Sequence, residues 1–446
     1  MTTFDAAAWL LGLAAVIGVA NDRWFHLPRN IALLLGALCV ASGVMAVDTW
    51  LIQGEGLAYW RNRIDHANLS GVLLDGVLAL LLFAGSMHVD PRQLRDRAWP
   101  VALLATIGVV VATTLFGVLF HLLTLLGGQP VPLVWCLVLG VILAPTDAVV
   151  VEGLLRQVRM PAVLRGTISG ESLFNDGAAV VLFLAALAIA DGQPDVIGHG
   201  RLALKILEEV ALGGLLGWLG GYAAVQVCRS LNDRSLEVIV SLALALGIYR
   251  LAAAFGVSGP IAVVAAGLAF RHLPRHDRAR AGNERGQGDA TAPAGSGAGS
   301  GSGANLHPSA HTSASWDVID DLLNTLLFML MGFQILAITM VSAVAFLLPL
   351  GFLLAVLARA VSVCPAMMLL PLPFADRVRG VAVLTWTGLR GGISIALVLT
   401  LPQSPYRDLL LAIGYGVVIA TIVAQGLTVP RVLRALYGVR SGKTAG

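Results

Sequence analysis

The stretch 166–190, GTISGESLFNDGAAVVLFLAALAIA, is long and apolar enough to cross a bilayer as helix, yet it carries Glu171 and Asp176 in its first half. A second stretch, 140–151, GVILAPTDAVVV, sets Asp147 in an equally apolar run. An ionisable side chain at membrane depth is costly, so it faces a water-filled cavity or a partner and marks an ion or proton pathway. These carboxylates point to ion handling.

Working outward, apolar runs recur along all 446 residues: 57% of the side chains are hydrophobic and 12% are charged, where soluble domains carry roughly 25% charge. The runs lack the ten-residue alternation of a transmembrane barrel, and many reach the length of a membrane-crossing helix. The fold class expected is an all-α polytopic membrane protein. A net charge of +3 gives no case for nucleic acid. The four cysteines, Cys39, Cys136, Cys228 and Cys364, have no metal or disulfide spacing and read as packing residues. The amino-terminal run has an acidic residue and no basic cluster before it, unlike a cleaved signal peptide, and is expected to be the first span.

About thirteen spans are expected, near residues 6–20, 31–50, 69–87, 98–126, 132–151, 166–190, 206–227, 235–254, 256–270, 318–340, 342–371, 380–400 and 409–430. Loops after the odd-numbered spans hold most of the 29 Lys and Arg residues, which puts the first terminus outside and the last in the cytoplasm. Residues 1–271 thus hold the first nine spans and 317–436 the last four, followed by a cytoplasmic tail, 437–446. Between them, 272–316 is rich in Gly, Ala and Ser and reads as a disordered cytoplasmic loop. Its histidines His272, His276, His307 and His311 are widely spaced and are assigned no chemistry.

In the fifth span, Pro145 removes a backbone donor and disfavours helix at the preceding residue, which frees carbonyls beside Thr146 and Asp147. A broken helix at mid-membrane is expected, and its carbonyls can coordinate a cation. The alternative is a simple kink with Asp147 capping a half-helix. In the sixth span, helical spacing puts Ser172, Asn175 and Asp176 on one face, where they offer oxygen ligands; a polar helix interface is the competing reading. Glu171 lies to one side and needs its own cation, for which Arg390 in the twelfth span is the best candidate, since the other base within a span, Arg359, lies in a different span with no positional match.

The twelfth span surrounds Arg390 with Gly388, Gly391 and Gly392, which permits a second interruption at similar depth. Spans five and twelve are an odd number apart, so two six-helix halves would have inverted topology and their broken helices would cross, an architecture of many secondary transporters.

These residues carry a resemblance. GESLFNDG (170–177) with SGPIAVVAAGL (258–268), FMLMGFQI (328–335), LARAVSV (357–363) and GLRGGISIAL (388–397) is similar to NhaP-like sodium/proton exchangers of the first cation:proton antiporter family. The resemblance spans nearly the whole chain and implies an antiporter, not an enzyme, that swaps Na⁺, or else Li⁺ or K⁺, for H⁺ by alternating access. It implies no cofactor, a homodimer in the cell membrane, and a role in pH and sodium homeostasis. By the same resemblance Asp176 binds the ion and the proton, Asn175 stabilises it, and Ser172, Thr146 and Asp147 complete the site. A buried ion pair maps to Glu171 and Arg390, Arg359 is an accessory structural base, and the Asn-Asp pair implies electroneutral exchange. Two departures stand out: Ala148 follows Asp147 where the family commonly has Pro, and Phe83-Ala84-Gly85 lacks the Glu of many relatives, for which Asp75 is a candidate substitute. Two other classes fit parts of the pattern: a cation channel lined by the same acids, and an intramembrane aspartyl hydrolase using Asp147 and Asp176 as a dyad.

Overall fold

A computed structural model of the chain describes residues 3–48, 76–88, 98–128, 130–147, 155, 158, 160–190, 192, 201–231, 233–272, 310–338, 343–370 and 372–438. The regular elements among them are helices, which is how backbone polar groups stay satisfied within a hydrocarbon layer. In chain order they are α1 (Thr3–Ala20), α2 (Arg29–Val47), α3 (Leu78–His88) and α4 (Trp99–Leu126), then α5 (Leu133–Ile142), α6 (Ala162–Ala190), α7 (Arg201–Cys228), α8 (Arg234–Ala254) and α9 (Gly259–His272). After the undescribed 273–309 come α10 (Ala310–Phe333), α11 (Val344–Leu369), α12 (Phe374–Trp386), α13 (Gly392–Leu399) and α14 (Arg407–Tyr437).

Among the described residues, 8 helices are long and apolar enough to cross a membrane, and α3, α5 and α9 are shorter apolar helices. The protein is a multi-pass membrane protein. Helix is found in each stretch expected from the sequence, and the differences at the ends have local causes. Prolines Pro28, Pro132 and Pro373 stand immediately before α2, α5 and α12, where a missing amide costs nothing. Helix α10 starts at Ala310, inside the stretch expected to be loop. There the Thr312 hydroxyl donates to Glu237 of α8 at 2.6 Å, and the fully buried Trp316 donates its indole N–H to Ser241 at 2.9 Å.

Side-chain packing forms three main apolar clusters. One joins α1, α2, α4, α5, α6, α10, α11, α13 and α14. A second joins α3, α7, α8, α9 and Trp316, where α7 meets α9 so closely that a Cβ on Gly217 would collide with the Ala262 carbonyl. The third gathers the start of α6, the end of α11, α12 and the end of α14. Ile393 of α13 and Val180 of α6 pack against both of the first two clusters. Helix α6 contributes to all three clusters, through Ala179 and Phe183, Leu173, and Leu164 and Ile168, so its polar residues lie where the clusters meet.

Candidate functional site: a charged crossing of two interrupted helices

Helix α5 stops at Ile142: Leu143 moves to φ −92°, ψ 0°, and the chain through Asp147 is no longer helical. The break opened by Pro145 is present as expected. The partner interruption lies between α12 and α13, where Thr387 ends one helix and Gly391, in extended conformation, starts the next. The two irregular segments touch. The Asp147 amide donates to the Leu389 carbonyl at 2.7 Å, and a Cβ on Gly391 would overlap the Asp147 carboxylate. Glycine is therefore required at 391 by close approach, and the end of α5 meets the interruption between α12 and α13 there, while residues 148–154, which follow Asp147 in the fifth span, lie outside the described residues.

Arg390 lies at the centre of the crossing, 2% exposed, and its position corrects one expectation. It does not pair with Glu171. Its Nη1 donates to the carbonyls of Ala144 at 3.0 Å and Pro145 at 3.4 Å, and its Nη2 to the carbonyl of Ala355 in α11 at 3.3 Å. The physical reason is local: the carbonyls freed by the α5 break are buried, a buried acceptor left bare is costly, and Arg390 is carried to them by its own interrupted segment.

Glu171 pairs instead with Arg359 of α11. Arg359 Nη1 and Nη2 donate to Glu171 Oε1 and Oε2 at 2.9 and 2.8 Å, a bidentate bridge with both side chains buried. The same guanidinium lies against Gly388, where a Cβ would meet its Nε at 2.9 Å. Glu171 also accepts from Asn175 Nδ2 at 2.7 Å and from the Thr146 hydroxyl at 3.2 Å, and Asn175 Nδ2 lies 3.0 Å from the Thr146 oxygen. Thr146, Glu171, Asn175 and Arg359 thus form one hydrogen-bonded cluster joining α5, α6 and α11.

Asp176 is half-buried one residue beyond it, with Asp147 and Glu171 as its acidic electrostatic neighbours. Among the described residues its carboxylate makes no hydrogen bond or ion pair, and Ser172 and the Asn175 Oδ1 oxygen are buried nearby on the same helix face. The structure therefore gathers Asp147, Asp176, Asn175, Ser172 and Thr146 at one place. It also ties Thr146 and the Asn175 amide to Glu171. The candidate Asp75 and the position Ala148 lie outside the described residues.

Comparison with known proteins follows the same lines. Residues 10–435 match the family described as sodium/hydrogen exchanger, transmembrane. The Na(+)/H(+) antiporter NhaP of Pseudomonas aeruginosa is 34% identical over 449 residues, covering 97% of each chain. This chain belongs to the sodium/hydrogen exchanger family. The Na(+)/H(+) antiporter NhaH of Halobacillus dabanensis is 28% identical to this exchanger, with 96% of each chain covered. The solved sodium proton antiporter MjNhaP1 of Methanocaldococcus jannaschii superposes with a TM-score of 0.70 over 97% of the exchanger and 98% of that chain, at 16% identity, which shows a shared fold.

Two contacts of the exchanger's site were not read from the sequence: the pairing of Arg359 with Glu171 and the contact of Thr421 with Arg390. Arg359 was ranked behind Arg390 because both are single bases in apolar spans and no spacing rule links either to Glu171. Thr421, whose hydroxyl oxygen lies 3.3 Å from the Arg390 amide, sits in an apolar helix and gives no sequence signal except its polarity.

Proposed function

We propose that this exchanger moves Na⁺ and H⁺ in opposite directions across the membrane, one for one, with Asp176 as the group that both substrates occupy in turn. The observation that carries the reading is the convergence of Asp147 and Asp176 at the crossing, with the Asp176 carboxylate outside the Glu171–Arg359 bridge. A proton and a dehydrated cation compete for the same carboxylate oxygens, since bound positive charge disfavours protonation. Competition at one group couples the two fluxes.

Asp147, the Ser172 hydroxyl and the Asn175 carbonyl oxygen are the further oxygens offered to the cation. Thr146 contributes by holding Asn175 and Glu171 in place. The charges at the crossing support the stoichiometry: three carboxylates, Asp147, Glu171 and Asp176, face two guanidinium groups, Arg359 and Arg390. One negative charge is left, which one proton or one Na⁺ neutralises. An empty, charged site is held back from crossing the apolar interior, whereas the neutralised site moves as one bundle rocks against the other.

The excess of Lys and Arg in alternate loops supports an outer amino terminus and a cytoplasmic carboxyl terminus, and the family resemblance supports a homodimer in the cell membrane. The test uses everted vesicles with a pH-sensitive dye. Addition of Na⁺ is expected to release protons from the vesicle interior, Asp176→Asn is expected to abolish the response, and Li⁺ and K⁺ are compared in the same assay. An Asp176→Asn protein that is inserted normally and still exchanges at the wild-type rate refutes the assignment. A membrane potential generated by Na⁺ addition refutes the one-for-one stoichiometry. Sodium flux that persists without proton movement supports the channel reading instead.

A further inference from the structure

Helix α14 carries a polar stripe that the exchange reading does not use. Thr421, Gln425 and Thr428 follow one another at four and three residues, so they share a face. That face lies along the end of α12 and its interruption. The Arg390 amide donates to Thr421 Oγ1 at 3.3 Å, while the same hydroxyl donates to Val418 O at 2.7 Å. Farther along, Trp386 donates its indole N–H to Thr428 Oγ1 at 2.9 Å. A Cβ on the adjacent Gly426 would come within 3.9 Å of Leu389, the residue whose carbonyl accepts from Asp147. Gln425, midway along the stripe, is 1% exposed, and its Oε1 has no hydrogen-bond partner.

The backbone here is also irregular. Residues Thr421–Gln425 form a π turn, a feature that is rare in helices and is frequent at functional sites. Thr421, at the start of this turn, meets the interruption through the Arg390 amide, and Gln425 closes the turn one helical step along the same face. Buried polar groups in an apolar span are costly unless they are used.

We propose that Thr421 and Gln425 are positioning residues for the ion site, with α14 serving as the third wall against which the α12–α13 interruption is held. Thr421 fixes the backbone of Arg390. Arg390 fixes the Ala144 and Pro145 carbonyls, and Leu389 fixes the Asp147 amide, so a change at Thr421 reaches the Asp147 carboxylate without touching it. The inference rests on the Na⁺/H⁺ reading of the crossing.

The test is initial-rate exchange by full-length protein in proteoliposomes, measured against Na⁺ concentration at several pH values, for wild type, Thr421→Val, Thr421→Ser and Gln425→Met. Loss of one buried hydrogen bond predicts a rise of about fivefold in the half-saturating Na⁺ concentration for Thr421→Val. The pH profile moves with it, the maximal rate changes less, and Thr421→Ser returns towards wild type. Gln425→Met, which keeps the side-chain length, shifts the same two quantities and provides the reading if Thr421→Val does not insert. A purely structural role would lower yield and maximal rate in all variants and leave half-saturation and pH profile unmoved, and that result overturns the proposal. Wild-type protein that fails to exchange overturns the Na⁺/H⁺ reading and the inference together, whereas active wild type with unshifted variants overturns the inference alone.

Discussion

The assignment of Glu171 to Arg359 rather than Arg390 can be tested by charge removal. In Arg359→Gln the Glu171 carboxylate loses two charge-assisted hydrogen bonds, at 2.9 and 2.8 Å, and keeps only the neutral donors Asn175 and Thr146. Both members of the bridge are buried, with side-chain exposures of 7% and 1%, so solvent does not screen the orphaned charge. Breaking one side of such a pair costs about 3–5 kcal/mol. Glu171→Gln is expected to cost a similar amount by stranding the Arg359 guanidinium, whose other acceptor is the Leu384 carbonyl at 3.4 Å. The double variant Glu171→Gln/Arg359→Gln removes both charges and should recover about 1–3 kcal/mol relative to the sum of the single losses. Thermal unfolding of detergent-purified protein reads this directly: the double variant melts above the temperature expected from adding the two single shifts. A parallel cycle with Arg390→Gln should show much weaker coupling to Glu171, because Arg390 is held by carbonyl oxygens. Strong coupling in the Arg390 cycle and additivity in the Arg359 cycle would refute the reasoning.

Three further outcomes are expected. Gly391→Ala places a methyl group on the Asp147 carboxylate and should abolish Na⁺-driven proton movement in everted vesicles while membrane insertion, followed by immunoblot, is retained. Thr146→Val leaves Glu171 and Asn175 each one partner short; it should cost about 1–3 kcal/mol in detergent unfolding and slow exchange, and a variant as stable as wild type would contradict the shared cluster. Gly217→Ala drives a methyl group against the Ala262 carbonyl at the α7–α9 seam. It should lower the melting temperature by an amount corresponding to about 1–3 kcal/mol, with half-saturating Na⁺ unchanged, because that seam lies outside the ion site.

Much of this architecture was legible in the sequence because bilayer thickness turns helix length into composition: a span must be apolar, so any charge within it stands out. Asp147, Asp176, Glu171, Arg359 and Arg390 were all visible on that basis, and Pro145 and the glycines around Arg390 marked both interruptions. Helical spacing also placed Ser172, Asn175 and Asp176 on one face. What spacing cannot give is which element of another span lies opposite. Glu171 and Arg359 are 188 residues apart, and only the packing of α6 against the end of α11 decides that they meet. Glu171 was also expected to stand apart from the cavity, whereas an i,i+4 contact with Asn175 draws it into the same cluster as Thr146. Helix α10 started early for a related reason: Thr312 and Trp316 belong to a polar-rich segment by composition, but their partners on α8 are 75 residues away.

The two arginines are alike in sequence context and differ in what they neutralise. Arg359 meets a full negative charge, and its planar fork matches the carboxylate of Glu171 with two parallel bonds. Arg390 meets only the partial charges of three carbonyls, so its own positive charge is not cancelled by a paired anion. That residual charge sits one residue from Gly391, against which the Asp147 carboxylate rests. The consequence is asymmetry between the two acids of the crossing. Asp147 has its amide tethered to Leu389 and its carboxylate against Gly391, whereas Asp176 has acidic neighbours and no ion pair among the described residues. The absence of a fixed partner at Asp176 among the described residues is the reason the proposed exchange is placed there, with a supporting role proposed for Asp147.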